Sequence, residues 1–409
     1  MFRPRPLLAR VTFLALLGVA ATSTGCAQQR AASMRPTEEY SRPLPPGASA
    51  LRRVDPERLP DLGAAYRRRD PALVTALDAS LDWFRAPSSR NFFPFEGITH
   101  ERANASLRAL RTHLGSASSE ADFVARVRRD FDVYESVGYN GEGVVLFTGY
   151  YAPIFNASRT RTGQYRHPLY RRPADLLTDP VTGAPQGRRT ASGQRTPYPT
   201  RAEIEDGRLL AGRELVWLED ALSAYLVHVN GSARLRMRDG STMNIGYAGK
   251  TDRPYASLGR AMIDAGLLAA DEVSLPAIRR VYERDPRAVE RLMRRNESYV
   301  FFTEVDAGSW PAGSLGVPVT GRRSLATDKK IFPRGGLVLV DTNTIKVGGG
   351  TQKFLQFMLD QDTGGAIRAP GRADIFMGVG RGAEVLAGGQ YAEGKMYYFF
   401  VRPELVAAY

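Results

Sequence analysis

Apolar positions recur at helical spacing three times in the first third of the chain. Asp70 offers an N-cap before Pro71, and Leu73, Leu77, Leu81 and Phe84 then share one face. A second run predicts a helix from about His100 to Leu114, stopped by Gly115. A third starts near Ser119, with Asp122 three residues on as a capping box, and places Phe123, Val127 and Phe131 together. The pattern then changes. Val144 to Phe155 is rich in β-branched and aromatic residues and predicts a strand. From about 160 to 215 the chain is polar and turn-rich, punctuated by Pro168, Pro173, Pro180, Pro185, Pro197 and Pro199. Leu222–Val229 and Arg234–Arg238 predict a strand pair, with a turn at Asp239-Gly240. Helices are expected at about 255–268, 275–284 and 286–295, and strands dominate from Val300 onward. No internal repeat interrupts this order. It suggests a middle domain inserted into a β-rich outer one, and it disfavours a parallel α/β sheet.

The N-terminus has a different purpose. Arg3, Arg5 and Arg10 precede an apolar run from Val11 to Ala21 that is too short to span a bilayer. Ser23-Thr24-Gly25-Cys26 follows and resembles a bacterial lipoprotein signal, although Ser23 stands where Leu is usual. Cleavage before Cys26 and its lipidation would anchor the chain stably through several acyl groups. Ala27, rather than Asp, after the cysteine implies sorting to the outer membrane. The other reading is an ordinary cleaved signal with an incidental cysteine. Residues 27–55, rich in Pro, Arg and Ser, read as a flexible tether.

Composition narrows the choice little. The 409 residues allow two or three domains, and 40 Gly with 26 Pro favour barrels over helix bundles. The net charge of +13 suits nucleic acid, a membrane surface or an acidic polymer, but no Lys/Arg run reads as a nucleic-acid arm, so nucleic acid is not the expected partner. Cys26 is the single cysteine, which excludes an internal disulfide. His100, His113, His167 and His228 form no metal-binding spacing, so no metal and no cofactor are expected.

The chemistry concentrates between Asp360 and Gly380. Asp-Gln-Asp-Thr-Gly-Gly-Ala-Ile occupies 360–367, and Gly-Arg-Ala-Asp-Ile-Phe-Met-Gly-Val-Gly occupies 371–380. The Gly-rich turn between them could bring Asp362 and Asp374 onto neighbouring strands, and Asp328 lies earlier in Thr-Asp-Lys-Lys. Burial and like charge both raise a carboxyl pKa, so such a group could stay protonated at neutral pH and protonate a glycosidic oxygen. Capping of turns is the other use of three Asp in Gly-rich segments.

Here the residues resemble the membrane-bound lytic murein transglycosylase A family, whose C-terminal part is a three-aspartate (3D) domain. The likeness runs from about 85 to 402. It is carried by Phe147-Thr148-Gly149-Tyr150-Tyr151-Ala152-Pro153, Pro168-Leu169-Tyr170-Arg171, and Thr200-Arg201-Ala202-Glu203-Ile204. Gly246-Tyr247-Ala248-Gly249-Lys250, then Tyr255 and Leu258-Gly259-Arg260, add to it. So does Asn296-Glu297-Ser298-Tyr299-Val300-Phe301-Phe302, with Glu297 where Pro is usual. The three Asp follow in order, with Gly378, Gly380, Ala387 and Gly388 behind them. Val229-Asn230-Gly231-Ser232-Ala233 and Thr251-Asp252 depart from the family pattern in the middle domain.

The resemblance implies a mainly β fold with N-terminal helices: a double-psi β-barrel, a smaller inserted β domain, and a glycan groove between them. The implied organisation is a signal with lipobox at 1–26, a tether at 27–55, barrel segments at 56–159 and 306–409, and an insertion at 160–305. The implied activity is that of a peptidoglycan lytic exotransglycosylase, a lyase on the periplasmic face of the outer membrane. Its partners would be peptidoglycan glycan strands and, through Cys26, the membrane. Asp374 takes the catalytic place, Asp362 would tune it, and Asp328 would be structural. Thr148, Gly149, Tyr150, Tyr151, Tyr247, Lys250 and Phe376 are the expected substrate contacts. Strand alternation should turn one of Tyr150 and Tyr151 to the groove and the other to the core.

Two further motifs are set aside and one alternative is kept. Asp362-Thr363-Gly364 is a lone aspartic-protease triplet, and such enzymes need two. Gly378-Val379-Gly380-Arg381-Gly382-Ala383 mimics a dinucleotide fingerprint without its βαβ setting and reads as barrel turns. The alternative is a peptidoglycan-binding lipoprotein with no activity, gripping sugars on Tyr150, Tyr151 and Phe376.

Overall fold

The computed structural model describes residues 37–409 apart from 181, 270, 271, 347, 348 and 366. The expected signal, Cys26 and the first part of the tether lie outside the described residues.

Helix α1 (Pro71–Arg85) starts where Asp70 accepts the Leu73 N–H at 3.0 Å, and it buries Leu73, Leu77, Leu81 and Phe84. Helix α2 (His100–Ser116) is capped by Thr99 and runs past Gly115, whose flank is open space. Helix α3 (Glu120–Asp130) is capped by Ser119. Asp122 returns its bond to the Ser118 N–H at 2.9 Å, so the reciprocal half of the cap closes one residue earlier than expected.

Strands β1 (Leu51–Arg53) and β2 (Phe131–Ser136) pair antiparallel. The expected tether therefore ends sooner than residue 55: Tyr40 and Ala50 are already buried, and Leu51–Arg53 is tied into a sheet. The expected single strand at 144–155 is two, β3 (Val145–Ala152) and β4 (Ile154–Ser158), in different sheets. Pro153, which has no N–H for a ladder, falls at the break.

Strands β5 (His167–Tyr170), β6 (Leu176–Thr178), β7 (Pro185–Arg189), β8 (Arg195–Thr196) and β9 (Glu214–Leu218) follow, β6 to β8 forming a small sheet of their own. The segment 222–229, expected as a strand, is helix α4 (Ala221–Asn230). Asp220 caps it by accepting the Ser223 N–H at 2.7 Å, and Gly231 ends it at φ 73°. The helix lies between two apolar clusters, Ala224 and Val227 facing one, Leu222, Tyr225 and Leu226 the other. A helix buried all round shows no helical period in its sequence. Strands β10 (Ala233–Met237) and β11 (Thr242–Lys250) form the hairpin at Asp239-Gly240. Helices α5 (Leu258–Asp264), α6 (Leu275–Arg284) and α7 (Pro286–Met293) lead to β12 (Val300–Val305). Together β12-β11-β10-β4-β9-β5 make a six-stranded sheet.

The rest closes a barrel. Strands β13 (Ser324–Ala326), β14 (Leu337–Ile345), β15 (Thr351–Asp362), β16 (Arg372–Val379) and β17 (Tyr391–Val401) join β3 in the ring β3-β17-β14-β15-β13-β16, which returns to β3. Helices α1 and α2 cover β15 and β17 from outside. Coverage on two faces explains the unbroken apolar runs Leu337–Val340 and Met396–Val401. The segment 378–383 is not a barrel turn: β16 ends there and helix α8 (Gly380–Gly389) begins, using left-handed backbone at Gly380, φ 76°. Among the described residues no helix is long and apolar enough to cross a membrane.

Candidate active site

Register places the acidic residues. Asp374 of β16 stands opposite Thr148 of β3 on one side and Ala326 of β13 on the other. Ala326 is in turn opposite Asp362 at the end of β15. The two aspartates are thus not on neighbouring strands as expected. The short strand β13 separates them, which puts their backbones about 10 Å apart on one face of the barrel.

Their surroundings differ. The Asp374 side chain is 19% exposed. The Thr148 hydroxyl donates to its Oδ1, Arg372 Nη2 donates to the Thr148 oxygen at 3.2 Å, and the same Nη2 lies 3.8 Å from Asp374 Oδ1. Oδ2 has no hydrogen-bond partner among the described residues. Burial pushes the Asp374 carboxyl above its ordinary value, against the opposing pull of Arg372 and Thr148. Burial also raises Asp362, but its Oδ1 accepts the backbone N–H groups of Ser314 and Thr363, each at 2.8 Å. An amide N–H can only donate and so favours a carboxylate. A hydroxyl can turn and serve either protonation state.

Asp328 is buried and does not join this face. Its carboxylate accepts the N–H of Lys330 and of Ala369, each at 3.1 Å, tying the turn after β13 to the loop before β16. Tyr150 stacks obliquely on Phe376, ring centroids 5.1 Å apart, and turns its hydroxyl toward Asp362 without closing a bond of ordinary geometry. Tyr151 points to the opposite side, is buried, and donates to Glu384 of α8 at 3.1 Å. Gly149 touches that helix too: a Cβ there would lie 2.9 Å from Ala387 Cα. Phe376 is only 2% exposed and supports Tyr150 from behind, with Trp310 and Val319. Tyr247 is 51% exposed on β11. Lys250 ends that strand, and burial together with the Arg368 cation lowers its pKa.

The descriptions "MltA specific insert domain" and "3D domain" match residues 146–303 and 323–400. The Escherichia coli K12 protein named membrane-bound lytic murein transglycosylase A is 32% identical over 276 residues, 66% of this chain and 70% of that one. The chain belongs to the membrane-bound lytic murein transglycosylase A family. A Vibrio cholerae protein of the same name is 32% identical over 257 residues, 61% of this chain and 64% of that one. Among solved structures, a membrane-bound lytic murein transglycosylase from Agrobacterium tumefaciens superposes with a TM-score of 0.70 at 27% identity, covering 88% of this chain and all of that one. E. coli MltA with bound chitohexaose gives 0.67 at 25% identity, covering 87% and 96%.

Within this family frame, three features escaped the residue-level reading. Tyr255 was visible only as part of a motif, yet it lies close enough to Asp374 for the carboxylate to bear on its hydroxyl, and a Cβ added at Gly365 would lie 3.8 Å from the Tyr255 Cβ. Arg372 was one arginine among many. Asp360 is fully buried in an ion pair with Lys329, and accepts the Tyr398 hydroxyl at 2.7 Å and the Thr327 hydroxyl at 2.8 Å. Only the density of Asp around 360 signalled it.

Proposed function

We propose that this chain is a lytic transglycosylase that cleaves the β-1,4 bond between N-acetylmuramic acid and N-acetylglucosamine without water, leaving 1,6-anhydromuramic acid ends. Asp374 is the acid and the base. Its protonated carboxyl gives a proton to the glycosidic oxygen as the bond to the muramoyl anomeric carbon breaks. The resulting carboxylate takes the proton of the muramoyl 6-hydroxyl, whose oxygen bonds to that carbon. Asp374 ends protonated, ready for the next bond.

The observation that carries this reading is the Asp374 carboxyl itself: recessed, raised in pKa, partnered by a hydroxyl that can turn, and with Oδ2 unengaged among the described residues. It favours an enzyme over a mere peptidoglycan-binding protein. The names of the relatives and the chitohexaose bound to E. coli MltA support a glycan substrate. In this reading the closed barrel is of the double-psi kind, residues 160–305 form the inserted domain, and the glycan lies in a groove between them. Tyr150, Tyr247 and Lys250 contact the sugar, while Phe376, Gly149 and Tyr151 hold that surface in shape. Asp362 tunes the acid and Asp328 fixes the loop. Lipidation at Cys26 anchors the protein on the periplasmic face of the outer membrane.

Mass spectrometry of digested sacculi tests the chemistry. Anhydro-muropeptides are expected, and ordinary reducing ends as the sole product would overturn it. Cys26→Ser should move the protein from the membrane fraction to the soluble one; unchanged membrane association would remove the anchor.

A further inference from the structure

We propose that Arg372 is a positioning residue for Asp374: its guanidinium, acting across a short gap and through the Thr148 hydroxyl, holds the carboxyl poised between giving up its proton and retrieving one. This rests on the reading of Asp374 as acid and base.

Arg372 and Asp374 are two residues apart on β16, so their side chains leave the barrel on the same face. Arg372 is 5% exposed. A buried cation is costly unless paired, and the pairing here is incomplete. Opposite Arg372 across the strand pair stands Leu146, which offers no polar side chain. Nη2 donates to Thr148, Nε has no partner among the described residues, and among those residues Asp374 is the one carboxylate within 4 Å.

The distance matters. A two-bond fork between arginine and carboxylate is strong and would hold Asp374 ionised, useless as an acid. At 3.8 Å no direct bond of ordinary length forms. The cation instead acts as a fixed charge in a water-poor recess and offsets part of the effect of burial. When Asp374 releases its proton, the new carboxylate is the charge that Arg372 stabilises, so the interaction strengthens as the reaction proceeds. A residue that must donate and then accept works best with a pKa near the working pH.

Other groups facing Asp374 do not substitute for this charge. From β3 come Thr148 and Tyr150, from β13 the apolar Ala326, and from the segment after β11 Tyr255. Both tyrosines are pushed upward by burial and stay neutral. Asp362, one strand further on, is a carboxyl and supplies no cation.

The test compares Arg372→Gln with Arg372→Lys. Two quantities are followed: the pH dependence of kcat/KM on sacculi, and the Asp374 carboxyl titration by carbon NMR. Loss of the cation should move the alkaline limb and the titration midpoint upward by about one pH unit or more. Lysine keeps the charge and should restore both to within a few tenths of a unit. A merely structural arginine would lower Tm in both variants and leave midpoint and limb in place, and that result overturns the proposal. So does an equal shift in Gln and Lys. Should Arg372→Gln fail to fold, Thr148→Val removes the hydroxyl path with Arg372 retained; a smaller upward shift is expected, and none overturns that path. The underlying reading fails separately: Asp374→Asn with full activity removes Asp374 as the acid, whereas a wild-type midpoint in Arg372→Gln removes only the role of Arg372.

Discussion

Asp360 and Asp374 are carboxylates of the same barrel, and their surroundings are opposite in kind. Asp360 is wholly enclosed, and both its oxygens are taken: one by Lys329, the other by the hydroxyls of Tyr398 and Thr327. Asp374 is also removed from water for the most part, but one oxygen meets a single hydroxyl, the cation stands off, and the other oxygen is left over. Complete partnering turns a buried charge into a strut. Partial partnering leaves a group that can change its protonation state. The two carboxyls differ in the number of their donors as well as in depth of burial.

The sharpest way to break that contrast is Asp374→Asn. It keeps the shape and removes the proton, so glycan cleavage should fall by at least about 10²–10⁴-fold while sacculus binding persists. Retained activity in this variant, with loss in Asp362→Asn, would move the acid to the other carboxyl. The complementary change is Lys329→Met. It leaves Asp360 buried without its cation and should lower the unfolding free energy by about 3–5 kcal/mol in urea. A change of under about 1 kcal/mol would mean the pair is no strut. Asp362→Asn should reduce the rate less, by about tenfold, because a neighbouring charge only tunes the acid. Tyr150→Ala should weaken sacculus binding with little loss of Tm, whereas Tyr151→Ala should mainly cost stability; equal large Tm losses would place both rings in the core.

The smallest effect is a pH dependence. Burial raises Asp374, so the folded protein holds this proton more tightly than the unfolded chain does. That stabilisation is complete below the ordinary carboxylate value of about 4 and is lost as pH rises through the raised one. Asparagine has no such loss. The Tm of Asp374→Asn relative to wild type should therefore increase from about pH 3.5 toward neutrality. A flat difference would contradict the raised value.

The helices α1 to α3 were legible because each carries a cap and one apolar face. Helix α4 was not, since burial on all sides erased its period and left only Asp220 and Gly231 as signals. The break between β3 and β4 was marked by Pro153, but no local pattern says that two consecutive strands join different sheets. At the site, the resemblance singled out Asp374, Asp362 and Thr148. Their row across β15, β13, β16 and β3 came from register, which a sequence does not print. Phe376 illustrates the limit: its type suits a sugar platform, and packing buries it against Tyr150.

The strand between the two acids has a consequence for proton counting. Ala326 keeps Asp362 and Asp374 a full strand apart, with no hydrogen bond between them. An aspartic-protease dyad works because two carboxyls in contact share one proton and titrate as a unit. Here the two carboxyls do not touch, so neither can share the other's proton. In the proposed mechanism the site would therefore use a single transferable proton, regenerated within each turnover, with neither a second carboxyl nor a water molecule needed to close the cycle.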